Sequence, residues 1–173
     1  MFETCEFLLY LLHKTIIMKD PKALNDVSEF HKTFDLPILE EPVIPAKERW
    51  ELRLSLIEEE LQELREAIEN DDLVEVADAF CDIQYVLSGA ILEFGLGDKF
   101  DELFSEVQRS NMSKACDTIE EAKATQKKYL EKDGVESYVR QVGDDFLVYR
   151  KSDSKVLKSI NYSPADIKGK LGI

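Results

Sequence analysis

The chain has 173 residues, with 22 Lys plus Arg against 36 Asp plus Glu, so its formal charge is −14. That balance disfavours a nucleic acid polymer as partner, because binding through phosphate contacts needs clustered Lys and Arg. A hydrophobic content of 44% is too high for a disordered acidic polymer, and seven Gly with five Pro exclude a low-complexity chain. Cys5, Cys81 and Cys116 are widely spaced with no CxxC pair, which suggests neither a disulfide framework nor a zinc site.

The opening MFETCEFLLYLLHKTIIM has an apolar run at Phe7–Leu12. It has no basic n-region and no small-residue cleavage site, and His13-Lys14 interrupts it far short of the ~20 apolar residues of a membrane span. The expectation is a cytoplasmic protein with no membrane partner. Met18 opens the more ordinary MKDPKALNDVSEFH, so residues 1–17 are open to being a mis-assigned upstream start. Residues 1–21 are expected to be an N-terminal extension, ordered or not.

Lys22–Thr33 has helical spacing at Leu24, Val27 and Phe30. Pro37, Pro42 and Pro45 forbid a regular helix over Asp35–Pro45 and make it an extended arm. From Ala46 to Glu69, Trp50, Leu54, Ile57, Leu61, Leu64 and Ile68 recur on one helical face, the expected core face. Asn70-Asp71-Asp72 reads as a turn with an Asp to cap the next helix. That helix, Leu73–Phe94, is apolar nearly all round, stops at Gly95 or Gly97, and belongs in the middle of a bundle. Asp98–Met112 reads as a helix with Phe100, Leu103, Phe104 and Val107 inward, and Thr118–Glu131 as a polar, peripheral one. Ser137–Arg150 alternates around Gly143-Asp144-Asp145, a hairpin pattern, and a tail follows. The expected class is all-α: an antiparallel helical bundle with a small C-terminal β-hairpin appendage. Residues 22–116 make the bundle, and 117–173 add a helix, the hairpin and a tail packed on the same domain.

Most acids look like solvated faces or turns, but two groups do not. Leu52, Leu56, Glu60, Glu63 and Ala67 form a second stripe on the 46–69 helix, with Glu60 and Glu63 between apolar residues. On the next helix Glu75, Asp78 and Asp82 share a stripe with Tyr85 and Gly89, and no Lys or Arg occurs between Arg65 and Lys99 to pair with them. Buried carboxylates are costly unless paired or bound to metal. If the two helices turn near Asn70-Asp71, facing residues have numbers summing to about 141, since each helix rises ~1.5 Å per residue. Glu63 then faces Asp78, and Glu60 approaches Asp82. Four carboxylates on such a seam suit one or two hard cations such as Mg²⁺ or Mn²⁺. Glu75 sits about one turn nearer the loop. A di-iron site would need Glu-x-x-His on two helices, and neither His13 nor His31 has that context. A seam satisfied by water or distant Lys and Arg is the competing reading.

EEELQE (Glu58–Glu63), then EVADAFCD (Glu75–Asp82), resembles the ExxE…ExxD motif of the MazG-like all-α NTP pyrophosphohydrolases, relatives of phosphoribosyl-ATP pyrophosphohydrolases and all-α dimeric dUTPases. The likeness continues through DIQYVLSGAILEFGL and EVQRSNMSK and resumes in KVLKSINYSPADIKGKL, covering roughly residues 25–115 and 155–171. The resemblance implies a homodimer or higher homo-oligomer that hydrolyses a nucleoside triphosphate to monophosphate and pyrophosphate with Mg²⁺ (Mn²⁺ as the substitute). By position it implies Glu60 and Glu63 as metal ligands and Glu59 as the acid that orients or deprotonates water. The second half has two alignments. By letters Glu75 and Asp78 are ExxD; by the residues that follow, Asp82 is the motif Asp and Ala79 stands where Glu belongs. Arg109, Asn111 and Lys114 resemble nucleotide-binding positions, with Lys155, Lys158 and Tyr162 as weaker counterparts; a basic helix C-terminus favoured by the dipole is the structural alternative for the first three. The functional alternative is a non-catalytic acidic helical protein that oligomerises or regulates while retaining the bundle. The base and sugar of the nucleotide stay open.

Overall fold

The computed structural model describes residues 21–173. All of the expected N-terminal extension but Pro21, with the Met18 start, Cys5 and His13, lies outside the described residues. The chain is mostly helical with one two-stranded antiparallel sheet, and it divides into two compact units. Among the described residues no single helix is long and apolar enough to cross a membrane.

The first unit, residues up to Ile38 with Pro45–Glu93, holds α1 (Ala23–Thr33), α2 (Lys47–Glu69) and α3 (Leu73–Glu93). Helix α2 starts just after Pro45 and ends at Asn70, where Asp71 turns left-handed (φ 55°). The Asp72 carboxylate then accepts the Val74 and Glu75 N–H groups at 3.0 and 3.2 Å, capping the donors that α3 leaves unpaired. This three-residue turn makes α2 and α3 a hairpin packed along its length, and α1 packs on α3.

The face that α2 turns to α3 differs from the expected one. Arg53 and Ala67 are buried there with Leu56 and Glu60 partly covered, whereas Leu54, Leu61 and Ile68 are each more than half exposed. Helix α3 is covered mainly from Ser88 to Glu93 and at Ala79, while Leu73 (80%), Val74 (76%) and Phe80 (57%) face solvent. Within this unit α1 is the helix that packs on the hairpin, so Trp50, Ile57 and Leu64 of the apolar stripe are half-buried while its Leu54, Leu61 and Ile68 side is left outside.

The second unit, Leu39–Ile44 with Phe94–Ile173, begins where Gly95 (φ 66°) ends the α3 segment; a Cβ on Gly95 would overlap the Glu41 carbonyl. A 3₁₀ turn at Gly97–Lys99 leads into α4 (Phe100–Met112), followed by α5 (Ile119–Asp133), strands β1 (Ser137–Val142) and β2 (Asp145–Arg150), and α6 (Ile167–Leu171). Thr118 caps α5 by accepting Glu121 N–H at 3.1 Å. The strands run in register from Ser137–Arg150 to Val142–Asp145 around Gly143-Asp144. Cys116, Ala122, Val148 and Leu157 form this unit's core, flanked by Tyr129, Val135, Val139 and Phe146.

Helix α4 buries Leu103, Glu106 and Ser110. Phe104 (64% exposed) and Val107 are outside, contrary to the inward face expected from spacing. The tail explains the polar members: Glu106 accepts the Asp166 N–H at 2.8 Å, and Ser110 donates to the Tyr162 hydroxyl at 3.1 Å. The bidentate Arg109 fork, then the Asp166 N–H, hold the Glu106 carboxyl down at about 2 against an ordinary 4.5. A depressed carboxyl contributes stability that is complete above its ordinary value and lost as pH falls towards the depressed one. Hydrogen-exchange protection of residues 164–172 is therefore expected to fall between pH 4.5 and about 2. In Glu106→Gln it should be low already at pH 7 and lose that pH dependence.

Candidate functional site

Helix α2 carries Glu59, Glu60 and Glu63, and α3 carries Asp78 and Asp82, four residues apart on one face. Glu60 is half-buried, and one of its oxygens, Oε2, is shut from solvent without a hydrogen-bond partner. Burial, then the charges of Asp82, Glu63, Glu59 and Asp78, push the Glu60 carboxyl above its usual range. Asp82 is half-buried, and Glu59, Glu63 and Asp78 are exposed. No ion pair among the described residues reaches any of the five. Glu75 is exposed at the start of α3 and is not among the charges acting on Glu60.

Among the described residues no three His, Cys, Asp or Glu side chains stand in a chelating arrangement. The donor chemistry nevertheless fits a hard cation: oxygen ligands only, an orphaned buried carboxylate oxygen, and negative charge with no protein counter-charge.

One turn along the same hairpin the pattern reverses. Leu56 and Val86, four residues from Glu60 and Asp82, help line a cavity of about 280 Å³ whose walls include Phe30, His31 and Tyr85. Phe30 and Tyr85 meet edge to face at 5.6 Å. Beside the cavity, Glu93 is almost completely buried and receives hydrogen bonds from both Arg49 and Arg53. Burial works to raise the Glu93 carboxyl, yet the two guanidinium groups hold it below its usual range. Arg53 also lies 3.2 Å from His31 Nε2, while His31 Nδ1 lies 2.9 Å from the Pro37 carbonyl. A guanidinium only donates and a carbonyl only accepts, so these partners select the Nδ1–H tautomer. The Arg53 Nε is buried without a partner. Gly89 is required here: a Cβ would stand 2.8 Å from Arg53 Nη1 and 3.0 Å from His31 Nε2.

Sequence reasoning missed this group. The signal was available, because Arg49 and Arg53 are four apart and the hairpin arithmetic puts Arg49 opposite the end of α3, where Glu93 is its last residue.

The cationic candidates belong to the second unit. Arg109 is committed to the fold: its Nε and Nη2 donate to Glu106 at 2.8 and 2.7 Å, and Nη2 also to the Pro164 carbonyl at 3.0 Å. Lys114 Nζ donates to Asn111 Oδ1 at 2.7 Å, and Lys158 Nζ lies 4.2 Å from the centre of the Tyr162 ring. The Ser110 hydroxyl, then the charges of Lys158 and Lys114, lower the Tyr162 phenol below its usual range. Lys114, Lys158 and Tyr162 are thus neighbours, whereas Lys155 is exposed and its N–H is taken by Asp153.

Residues 27–111 match the family model of phosphoribosyl-ATP pyrophosphohydrolase. The match contains all the carboxylates above, the buried Arg–Glu–His group, Arg109 and Asn111, and it stops before Lys114. None of the curated proteins compared with the chain matches it.

A carboxyl held above its ordinary value in the folded state costs stability as pH rises through that raised value, and costs none below the ordinary one. Glu60→Gln is therefore expected to melt higher than wild type at pH 7.5 in chelator. The rise should be on the order of 2–4 °C, equivalent to about 1 kcal/mol in a chain of this size. At pH 4 the two should coincide. A lower melting point for Glu60→Gln at pH 7.5 would mean that the carboxylate is already compensated.

Proposed function

Because residues 27–111 place the chain in the MazG-like all-α NTP pyrophosphohydrolase superfamily, we propose that it is a Mg²⁺-dependent nucleoside triphosphate pyrophosphohydrolase. Nucleotide pyrophosphohydrolysis is the activity of the matched family; the metal, the substrate class and the residue roles are our reading. It rests on one observation above the others, the partnerless Glu60 oxygen surrounded by four further carboxylates.

In this reading Glu60, Glu63, Asp78 and Asp82 hold Mg²⁺, or Mn²⁺ in its place, with Glu75 the reserve candidate at the turn. The bound cation supplies neutralisation of the triphosphate and a lowered pKa for water. Glu59, exposed beside Glu60, takes the proton as water adds to the α-phosphorus. The α–β anhydride bond breaks, releasing the monophosphate and pyrophosphate. Within the second unit, Asn111, Lys114, Lys158 and Tyr162 offer donors suited to phosphate oxygens, and Arg109, held in its Glu106 pair, supports that surface. The cavity lined by Phe30, His31 and Tyr85, one turn from Glu60, receives the base.

The exposed stripe of Leu54, Leu61, Ile68, Leu73, Val74 and Phe80 supports a homo-oligomer in which a second copy completes an antiparallel bundle. Each such side chain gains roughly 1.5–3 kcal/mol on full burial, so a monomer carries a large uncollected driving force. A non-catalytic oligomerisation protein would use the same stripe, but it gives the carboxylates between the helices no task.

Pyrophosphate release from a panel of NTPs and dNTPs with Mg²⁺ tests the activity. The paired Glu63→Ala, Asp78→Ala substitution should lower kcat on the order of 10²-fold or more. Mg²⁺ should raise the melting temperature of wild type and not of that variant. Unchanged activity in the pair removes the site assignment, and no turnover of any nucleotide favours the non-catalytic reading. For the assembly, Leu61→Glu with Ile68→Glu should shift the sedimenting species to monomer; a wild type that already sediments as monomer would sink it.

A further inference from the structure

The second unit contains a segment that the family match does not cover, and its contacts suggest a task. Segment 117–153 supplies α5, β1 and β2. The stretch after it, 155–163, is tied to this module along its length. The Val148 carbonyl accepts Leu157 N–H at 2.8 Å, and Arg150 N–H reaches the Lys155 carbonyl at 2.9 Å. From α5, the Tyr129 hydroxyl accepts Lys158 N–H at 3.3 Å and the Thr125 hydroxyl accepts Ile160 N–H at 3.0 Å. Glu121 accepts the Ser159 hydroxyl, whose oxygen in turn accepts Asn161 N–H at 3.0 Å. Thr125 and Ser159 are almost completely buried. On its other side the stretch meets the end of α4: Ser159 N–H donates to the Lys114 carbonyl at 3.3 Å, and Ser163 N–H to the Ser113 hydroxyl at 3.0 Å.

Two side chains emerge from this doubly anchored stretch towards α4, Lys158 and Tyr162, and they stack on each other beside Lys114. Two ammonium groups and a phenol make a donor cluster with no carboxylate paired to either lysine among the described residues. The backbone anchors on both sides of the stretch fix the geometry that an anion would find. We propose that the α5–β1–β2 module is a positioning scaffold, with Thr125 and Tyr129 of α5 holding Lys158 and Tyr162 beside Lys114 as a binding cluster for the phosphate chain of the nucleotide. This rests on the reading of these side chains as nucleotide contacts. Thr125 and Tyr129 are positioning residues: they touch the backbone of the stretch and act through Lys158 and Tyr162.

Inorganic pyrophosphate, titrated calorimetrically into the full chain, tests the cluster without requiring turnover. Wild type is expected to bind it, and Lys158→Ala to bind it more weakly. Thr125→Val and Tyr129→Phe remove one acceptor each while keeping shape and ring, and should weaken binding roughly three- to tenfold, the scale of one hydrogen bond. Thr125→Ser, which keeps the hydroxyl, should bind as wild type does. In turnover assays the same two variants should raise KM by the same factor and leave kcat within about twofold. If Lys158→Ala weakens binding while Thr125→Val and Tyr129→Phe do not, the scaffold role falls and the anion cluster stands. If wild type binds no pyrophosphate, or Lys158→Ala binds it unchanged, both fall. If binding behaves as expected but no nucleotide is hydrolysed, the catalytic reading fails and the scaffold survives.

Discussion

The buried ion pair between Glu93 and the two arginines Arg49 and Arg53 sets the register on which the first unit depends. An almost fully buried carboxylate needs its partners, and removing one from such a pair costs about 3–5 kcal/mol. Arg49 and Arg53 lie four residues apart near the start of α2, and Glu93 is the last residue of α3, so the pair fixes which residues meet all along the hairpin. A shift by one residue would swing the Glu60 face away from Asp82. The same register directs Leu54, Leu61 and Ile68 outward. The half-burial of Glu60 and Asp82 and the exposure of these three apolar side chains therefore follow from one constraint.

That constraint also explains why two carboxylates on the same hairpin behave oppositely. Glu93 has two guanidinium donors and is held below the usual carboxylate range; Glu60 has none and is pushed above it. Both lose hydration, so the difference lies in the company each keeps. A structural acid is one whose charge the protein itself balances. Glu60 has no such balance among the described residues.

Much of the fold was legible in the residues, because it depends on local chemistry. The 46–69 helix, its Asp-capped turn, the stop at Gly95 and the alternation around Gly143-Asp144 each announce themselves within a few positions. The neighbourhood of Glu60 was legible too, since helix rise and a short turn already bring Asp78 and Asp82 near. Orientation was not legible. Periodicity finds an apolar stripe but does not say whether the stripe meets its own chain, and α2 carries two stripes of which the less apolar faces α3. On α4, Phe104 is exposed because the buried stripe is built from Glu106 and Ser110, whose partners are backbone and hydroxyl groups of the tail. Polar docking of that kind leaves no periodic signature, and the short helix α6 went unseen for the same reason. The Arg–Glu–His group was hidden differently: each member looks like an ordinary surface residue until the helices are paired.

The docking of Glu106 has a consequence for the order in which the molecule is made. The first unit is complete in sequence once Glu93 has been synthesised, and its hairpin can then close around the Arg49–Arg53–Glu93 pair. Glu106 has its Arg109 partner three residues on, but its backbone partner at Asp166 comes 60 residues later. Throughout that interval α4 presents a half-satisfied polar stripe next to exposed Phe104, and the module around Cys116 and Val148 must form before the tail can return. Docking of the tail on α4 is therefore a late, long-range step in the assembly of the second unit.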